Sequence, residues 1–231
     1  MKSHRDRLIL FDIDGTLLSA DRSGYHAIER SMIDVFGAAR GLEGIRLDGN
    51  TDLNAIRQVC DRDGRAFPDQ EAISKFKDHY TTILRREIAG KGHLKPGVGP
   101  LLNALASSGR ACLGLVTGNI REGARIKLDR FGIAEYFPFG AFGCEHPTRA
   151  ELVGLAMRRA AELVGKPFGP ETVTVVGDTV HDVASCHPWG VRCLAVATGS
   201  ASRDELEAAG ATWALDDLSD LGTVLNLLLD R

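Results

Sequence analysis

Two aspartates separated by a single residue follow a short apolar run near the start of the chain. Residues 8–11 are apolar, Asp12 and Asp14 come next, and Gly15 then ends the run. This pattern predicts a buried parallel strand that carries carboxylates at its C-terminal end. Because side chains alternate along a strand, Asp12 and Asp14 should point the same way and repel each other unless a cation or a shared proton intervenes. The pair therefore predicts metal binding or acid–base chemistry, although an Asp-Gly turn that merely closes the strand is an alternative.

Polar residues also follow two later apolar runs, at residues 111–116 and 173–176. If the three strands are parallel neighbours, their polar ends meet along one edge of a sheet, where open α/β sheets bind their ligands. Three unrelated turns would not be expected to supply a hydroxyl and four carboxylates at one place. The polar segments after the two later runs contain Thr117, Gly118, Asn119, Asp178 and Asp182.

From residue 96 onward, segments with helical and strand patterns alternate along the chain. A short strand is also predicted at 139–142, and further strands at 191–196 and 213–215. Repeated alternation of this kind implies a parallel sheet with right-handed crossovers and helices on both faces. The predicted fold class is therefore α/β, with a Rossmann-like core.

The segment from residue 17 to residue 95 has a different pattern. Its apolar residues recur at helical spacing within the stretches 25–36, 53–60 and 73–88, and no convincing strand is found between them. Turns rich in glycine or containing proline separate these stretches. We predict three amphipathic helices here, the second capped by Thr51 or Asp52.

The five residues 12–16, Asp-Ile-Asp-Gly-Thr, resemble motif I of the haloacid dehalogenase (HAD) superfamily, most of whose members are Mg²⁺-dependent phosphohydrolases. Thr117 resembles motif II, and Asp178 with Asp182 resembles motif IV. The resemblance extends over essentially the whole chain and implies a phosphoglycolate phosphatase-like member. It implies a core of residues 1–16 and 96–231, with residues 17–95 as a helical cap of the C1 type inserted after the first strand.

The resemblance also implies roles for the two aspartates of motif I. Asp12 would be the nucleophile and would carry an aspartyl phosphate, because carboxylates form covalent phosphoenzymes when a metal and positioning assist. Asp14 would protonate the leaving oxygen and later deprotonate the attacking water. A dehalogenase is disfavoured because those enzymes do not normally carry this second aspartate.

Further residues are assigned by the same resemblance. Mg²⁺ would be held by Asp12, the backbone carbonyl of Asp14, and Asp178, with Asp182 acting through water or as a more distant partner. Helix capping is the alternative role for Asp178 and Asp182. Phosphoryl oxygens would be bound by the Thr117 hydroxyl and by backbone amides of Gly15, Thr16, Gly118 and Asn119.

Motif III is usually a lysine at the start of the helix before motif IV, and this chain departs from that pattern. The candidate is Arg149, whose guanidinium can clamp phosphoryl oxygens in a bidentate manner. Lys166 competes for the role, but it follows the predicted helix, where a solvent-facing lysine is the better interpretation.

Within the predicted cap, the turn at residues 47–52 is our candidate for the loop that faces the leaving group. Asn50 and Thr51 are its proposed substrate-binding residues, and a simple helix-capping turn explains them equally well. The expected substrate is a small phosphorylated metabolite. A phosphosugar mutase of the β-phosphoglucomutase kind, a phospho-receiver domain and a catalytically silent binding module are the alternatives.

Composition and net charge limit the classes of partner that we expect this protein to bind. The chain of 231 residues has a formal net charge of −3, and no run of Lys or Arg suggests a nucleic-acid partner. The apolar run after the charged start is too short for a signal peptide, and no segment approaches membrane-spanning length. We expect a cytoplasmic protein without a membrane partner, and the sequence leaves its oligomeric state unknown.

Overall fold

Eight β-strands are present in a computed structural model that describes residues 5–230. Residues 1–4 and 231, which the predicted core includes, lie outside this range. The strands in chain order are β1 (Arg7–Phe11), β2 (Leu18–Ser19), β3 (His93–Leu94), β4 (Ala111–Thr117), β5 (Gly140–Phe142), β6 (Val173–Gly177), β7 (Arg192–Val196) and β8 (Trp213–Leu215).

Six of these strands form one sheet in the order β5-β4-β1-β6-β7-β8. All of its pairings are parallel, and β1 lies between β4 and β6. Parallel neighbours need a crossover connection, and helices supply those connections here. The predicted α/β fold class with a Rossmann-like core is therefore confirmed.

The central strand β1 is buried on both faces. Ile9 and Phe11 belong to one apolar cluster, whereas Leu8 and Leu10 belong to another, and all four are fully buried. Alternating side chains thus enter the two helical layers in turn. This two-sided burial explains why the strand reads as a continuous apolar run.

Nine α-helices complete the described part of the chain. The bounds are α1 (Ser23–Phe36), α2 (Asp52–Arg62), α3 (Gln70–Glu87), α4 (Val98–Ser108), α5 (Arg121–Arg130), α6 (Arg149–Val164), α7 (Val180–Cys186), α8 (Arg203–Ala208) and α9 (Leu221–Leu229). The cluster on one face of the sheet includes residues of α6, α7 and α8. The other cluster includes residues of α4, α5 and α9.

The three helices predicted between residues 17 and 95 are present as α1, α2 and α3. Helix α1 packs against α3, and α3 packs against α5. The Phe76 ring stacks between Phe36 and Tyr80, with centroid separations of 5.2 and 6.1 Å. The apolar cluster of these helices is continuous with the one on the α5 side of the sheet.

The expectation that residues 17–95 contain no strand was wrong. β2 and β3 pair antiparallel, with Leu18 opposite Leu94, where the helical segment leaves and rejoins the sheet. Strands of two residues are too short to show an alternating pattern, and isolated ribbons of this kind are marginal without packing against other elements. The helix after β6 ends at Cys186, and a 3₁₀ turn, His187–Trp189, follows it.

Across residues 5–230, no helix combines the length and the hydropathy that a membrane crossing requires.

Candidate active site

The polar ends of three adjacent strands converge at one edge of the sheet. Asp12 follows β1, Thr117 ends β4, and Asp178 follows β6. Phe11, the last residue of β1, is in register with Leu115 on one side and Val176 on the other. The residues of motifs I, II and IV therefore lie together because β1 is the central strand of the three.

Three buried carboxylates form a cluster at this edge. One oxygen each of Asp12, Asp178 and Asp182 lies within 4.8 Å of the others, and each residue is at most 3% exposed. Burial raises the pKa of Asp178 to about 7, and the adjacent Asp12 charge acts in the same direction. Buried like charges are costly without a counterion, and carboxylate oxygens are the donors that Mg²⁺ prefers. The donor set therefore fits a divalent cation.

Arg149, the first residue of α6, contacts two members of this cluster. Its Nη2 donates to Oδ1 of Asp12 at 3.0 Å, and its Nη1 donates to Oδ1 of Asp182. The residue is 9% exposed, and within the described residues its Nε has no hydrogen-bond partner. A buried N–H group without a partner is unusual, which favours a ligand at this guanidinium.

Lys166, the rival to Arg149, is exposed beyond the C-terminal end of α6. The glycine that ends this helix, Gly165, has a left-handed backbone conformation, so Lys166 already lies outside the helix. Its position agrees with the solvent-facing alternative. Arg149 is therefore the better candidate for motif III.

Helix capping explains part of motif IV. Thr179 is the N-cap of α7, and its capping box with Asp182 is complete. The Oδ2 of Asp182 accepts from the Thr179 amide at 3.1 Å and from its hydroxyl at 2.7 Å, which leaves Oδ1 for Arg149. Asp178 is not the cap, and its Oδ1 accepts from the Thr16 hydroxyl at 2.7 Å. Asp182 thus both completes the capping box of α7 and lies in the carboxylate cluster.

Asp14 is not a member of the carboxylate cluster and instead contacts a lysine that the sequence patterns did not single out. Its Oδ2 accepts from Lys127 Nζ at 2.6 Å and from Asn119 Nδ2 at 2.7 Å. Lys127 lies on α5 and is 4% exposed. The sequence did hold a signal that Lys127 is buried. Ala124, Lys127, Leu128 and Phe131 occupy the i, i+3, i+4 and i+7 positions, which share the buried side of a helix.

The predicted phosphoryl-binding residues lie next to the hydrogen bonds that Asp14 makes with Lys127 and Asn119. Thr117 is fully buried, and its Oγ1 accepts from Asn119 Nδ2 at 2.8 Å and from the Asn119 amide at 3.3 Å. The Gly15 amide donates to Leu18 O at 2.9 Å, within the turn that follows motif I. Gly15 has a φ of +88°, and a Cβ atom there would lie 2.2 Å from Oδ2 of Asp178. Only glycine allows this approach.

A cavity of about 670 Å³ opens above these groups. Asp12, Asp14, Asp178 and Arg149 line it on the sheet side. The start of α1 and residues 45–50, which precede α2, form another part of its wall. Cavities of this size hold small metabolites, and the polar groups on one wall would fix the orientation of an anionic one.

The two proposed cap residues are placed differently. Asn50 lines the cavity, but its Oδ1 accepts from the Thr51 amide at 2.9 Å and from Asn54 Nδ2 at 2.8 Å. Thr51 is 2% exposed and is the N-cap of α2, because its Oγ1 accepts from the Asn54 amide at 3.2 Å. Both side chains therefore shape the turn, as the helix-capping alternative predicts.

The turn that carries these residues lies directly on motif II. The Asp52 amide donates to Gly118 O at 2.8 Å, and Oδ2 of Asp52 accepts from the Ile120 amide at 2.7 Å. A Cβ atom at Gly118 would lie 1.9 Å from Asn50 O, so only a glycine permits this contact. Burial raises the pKa of Asp52 to about 6.

Comparisons with known proteins identify the family of this chain. Residues 7–188 match the model of the haloacid dehalogenase-like hydrolases. Probable phosphatase IndB of Dickeya dadantii is 26% identical over 229 residues, which cover 96% of this chain and 94% of that protein. A phosphoglycolate phosphatase of Synechococcus elongatus is 34% identical over 130 residues, or 55% of this chain and 57% of the relative.

A solved structure shares the fold. The crystal structure of CbbY from Rhodobacter sphaeroides in complex with phosphate superimposes with a TM-score of 0.70 and 22% identity. The match covers 94% of this chain and 96% of that one. The family model spans well over half of the sequence, so the chain belongs to the haloacid dehalogenase-like hydrolase family.

Proposed function

We propose that this protein is a Mg²⁺-dependent phosphomonoesterase that acts on a small phosphorylated metabolite through an aspartyl phosphate on Asp12. The observation that carries the proposal is the position of the Asp12 carboxylate. It lines the cavity, 3.0 Å from the Arg149 guanidinium and within the buried carboxylate cluster. The phosphatases among the curated relatives support the same reaction class.

The reaction begins with attack by an oxygen of Asp12 on phosphorus. The bond from phosphorus to the ester oxygen breaks, and Asp14 gives its proton to the departing oxygen. Water then attacks phosphorus, the bond to Asp12 breaks, and Asp14 takes the proton from that water. Phosphate leaves, and both aspartates return to their starting states.

Other residues of the chain stabilise charge during these steps. Arg149 donates to phosphoryl oxygens as negative charge shifts toward them. Asp12, Asp178 and the backbone carbonyl of Asp14 would hold Mg²⁺, with Asp182 next to them. When bound, Mg²⁺ neutralises charge on the phosphoryl group and on the carboxylate cluster.

Residues 17–95 are proposed to act as a cap over this site, with residues 1–16 and 96–231 as the core. The cavity wall formed by residues 45–50 supports this division, as does the β2–β3 ribbon at its two ends. A cap of this kind restricts the site to small esters and excludes water while phosphorus is transferred. The residues that would discriminate among leaving groups then lie in α1 and in the turn before α2.

Release of inorganic phosphate from p-nitrophenyl phosphate, with and without Mg²⁺, tests the proposal. We expect turnover that requires the metal and that is abolished in Asp12→Asn, an isosteric variant that cannot attack phosphorus. Asp204→Asn, on the exposed start of α8, is the matched control and should keep full activity.

The alternatives give different results in the same assay. A phospho-receiver or a binding module would release no phosphate catalytically. A mutase would convert a phosphosugar into an isomer with little free phosphate. Turnover at the wild-type rate in Asp12→Asn would contradict the nucleophile assignment.

A further inference from the structure

Lys127 is a buried cation at the junction of motif I, motif II and α1. It is 4% exposed, and a Cβ atom at Gly24 in the first turn of α1 would lie only 2.9 Å from its Nζ. The carboxylates that face it are Asp14, in direct contact, and Asp52, in the first turn of α2. Removing an ammonium group from water is costly, so a lysine in such a position needs strong compensating contacts.

Those contacts form a closed network around one oxygen of Asp14. Lys127 Nζ donates to Oδ2 of Asp14 and to Oδ1 of Asn119, both at 2.6 Å. Asn119 Nδ2 donates to the same Asp14 oxygen at 2.7 Å and to Thr117 Oγ1 at 2.8 Å. The Asn119 side chain thus has its oxygen directed to Lys127 and its nitrogen to Asp14, which fixes the orientation of both groups.

The second oxygen of Asp14 is left available. Its Oδ1 takes part in no hydrogen bond with any group in residues 5–230, and the Asp14 side chain is 42% exposed where it lines the cavity. A carboxylate held by two donors on Oδ2 can rotate little. Its Oδ1 therefore has a restricted direction and remains available to a ligand in the cavity that Asp14 lines.

We propose that Lys127 is a positioning residue for proton transfer by Asp14. It holds Oδ2 directly and through Asn119, so that Oδ1 faces the leaving oxygen of the ester. This inference rests on the proposed phosphatase function and adds to it a residue outside the four motifs. The rate of proton transfer depends strongly on where the acid or base lies. A small displacement breaks the alignment with the accepting oxygen and slows the reaction by a large factor.

A charge-balancing role for Lys127 would have different kinetic consequences. If the lysine only stabilises the fold by balancing the charges of Asp14 and Asp52, its loss slows all substrates alike. If it positions Asp14, its loss slows the esters whose leaving group needs a proton and spares those whose leaving group departs as a stable anion. Leaving-group dependence therefore separates the two roles.

The experiment compares phenyl phosphate with 2,4-dinitrophenyl phosphate in Mg²⁺ buffer, using rapid mixing to observe release of the first product. Lys127→Met should slow the release of phenol on the order of 10²-fold and leave the release of dinitrophenolate nearly unchanged. Lys127→Gln, which keeps a donor without the charge, should fall between Lys127→Met and wild type. Lys166→Met makes the same chemical change at an exposed site and should match wild type on both esters.

A double variant provides a second measurement that does not depend on absolute rates. In an Asp14→Asn background, Lys127→Met should add little further loss on phenyl phosphate, because both changes remove the same step. Circular dichroism and thermal unfolding identify a variant that does not fold, and the double-variant comparison then uses Lys127→Gln.

Equal slowing of both esters, or additive losses in the double variant, would overturn the inference while the phosphatase function stands. A wild-type protein that hydrolyses neither ester would overturn the proposed function and this inference with it.

Discussion

Arg149 donates a hydrogen bond from Nη2 to Oδ1 of Asp12 at 3.0 Å, although 137 positions separate the two residues in the chain. The contact exists because α6 begins next to the end of β1, and Thr148 caps this helix. A planar guanidinium can reach Asp12 and Asp182 at once, which a single ammonium point charge does less well. Arg149, our candidate for motif III in place of the usual lysine, therefore links the proposed nucleophile to Asp182.

Arg149→Ala should lower kcat/KM for p-nitrophenyl phosphate on the order of 10²-fold or more, because a clamp on phosphoryl oxygens acts in the transition state. Arg149→Lys should retain part of the activity, since it keeps the positive charge but loses the pair of donors that a guanidinium provides. Steady-state kinetics with Lys166→Ala as the control measure this. An unimpaired alanine variant, or a larger loss in Lys166→Ala, would assign motif III elsewhere.

Asp178→Asn should weaken Mg²⁺ binding, because it removes one of the three buried carboxylates. Mg²⁺ should raise the Tm of the wild-type protein by mass action and raise that of the variant much less. Without the metal, the variant should be at least as stable as wild type at pH 7.5, since repulsion from Asp12 is relieved. Thermal unfolding with and without Mg²⁺ gives both results, and Asp204→Asn is the control. Equal metal-induced shifts in all three proteins would rule out this site.

Asp52 should make the protein less stable as pH rises from about 4 to about 6. Burial raises the pKa of this carboxyl to about 6, so in that window the folded protein binds the proton more tightly than the unfolded chain does. Asp52→Asn should therefore gain unfolding free energy over wild type between pH 4 and pH 7.5, by up to about 3 kcal/mol for a shift of about two units.

Urea unfolding of wild type and Asp52→Asn at several pH values tests this dependence. The amide oxygen of the variant can still accept from Ile120, so the hydrogen bond between the two segments is kept. Asp204→Asn, at an exposed position, controls for the loss of one carboxylate. A difference in stability that stays constant with pH would show that Asp52 ionises normally.

Asn50→Ala should change which esters are preferred more than it changes the rate on a small aryl ester. The Asn50 side chain donates to Arg46 O at 3.1 Å and holds the turn that walls the cavity. A panel of sugar, nucleoside and glycolate phosphates tests this, with Asn226→Ala on the exposed face of α9 as the control. An unchanged ranking of substrates would remove this turn from the specificity determinants.

Thr51→Ala tests the capping role of the same turn. Loss of an N-cap hydroxyl should cost about 1 kcal/mol of stability, measured by urea unfolding. Activity should fall only where the start of α2 is displaced. A loss of substrate binding without any loss of stability would favour direct contact between Thr51 and the ligand.

The sequence determined the features that depend on local patterns. A short continuous apolar run between charged residues is typical of a strand buried on both faces, so β1 and the place of Asp12 at its end were predicted from the sequence. Helical spacing likewise predicted α1, α2 and α3. The alternation of strands and helices along the chain then predicted a parallel sheet. It also predicted that the polar residues after three of its strands lie close together.

Tertiary structure decided which polar side chains became partners. Lys127 and Asp14 are 113 positions apart, and nothing near either residue specifies the contact except that a lysine occupies a buried stripe of α5. The β2–β3 ribbon was missed for a related reason, because strands of two residues show no alternating pattern in the sequence. Spacing along the chain predicts which face of an element is buried, whereas the hydrogen-bond partner of a buried charge depends on which elements pack against that face.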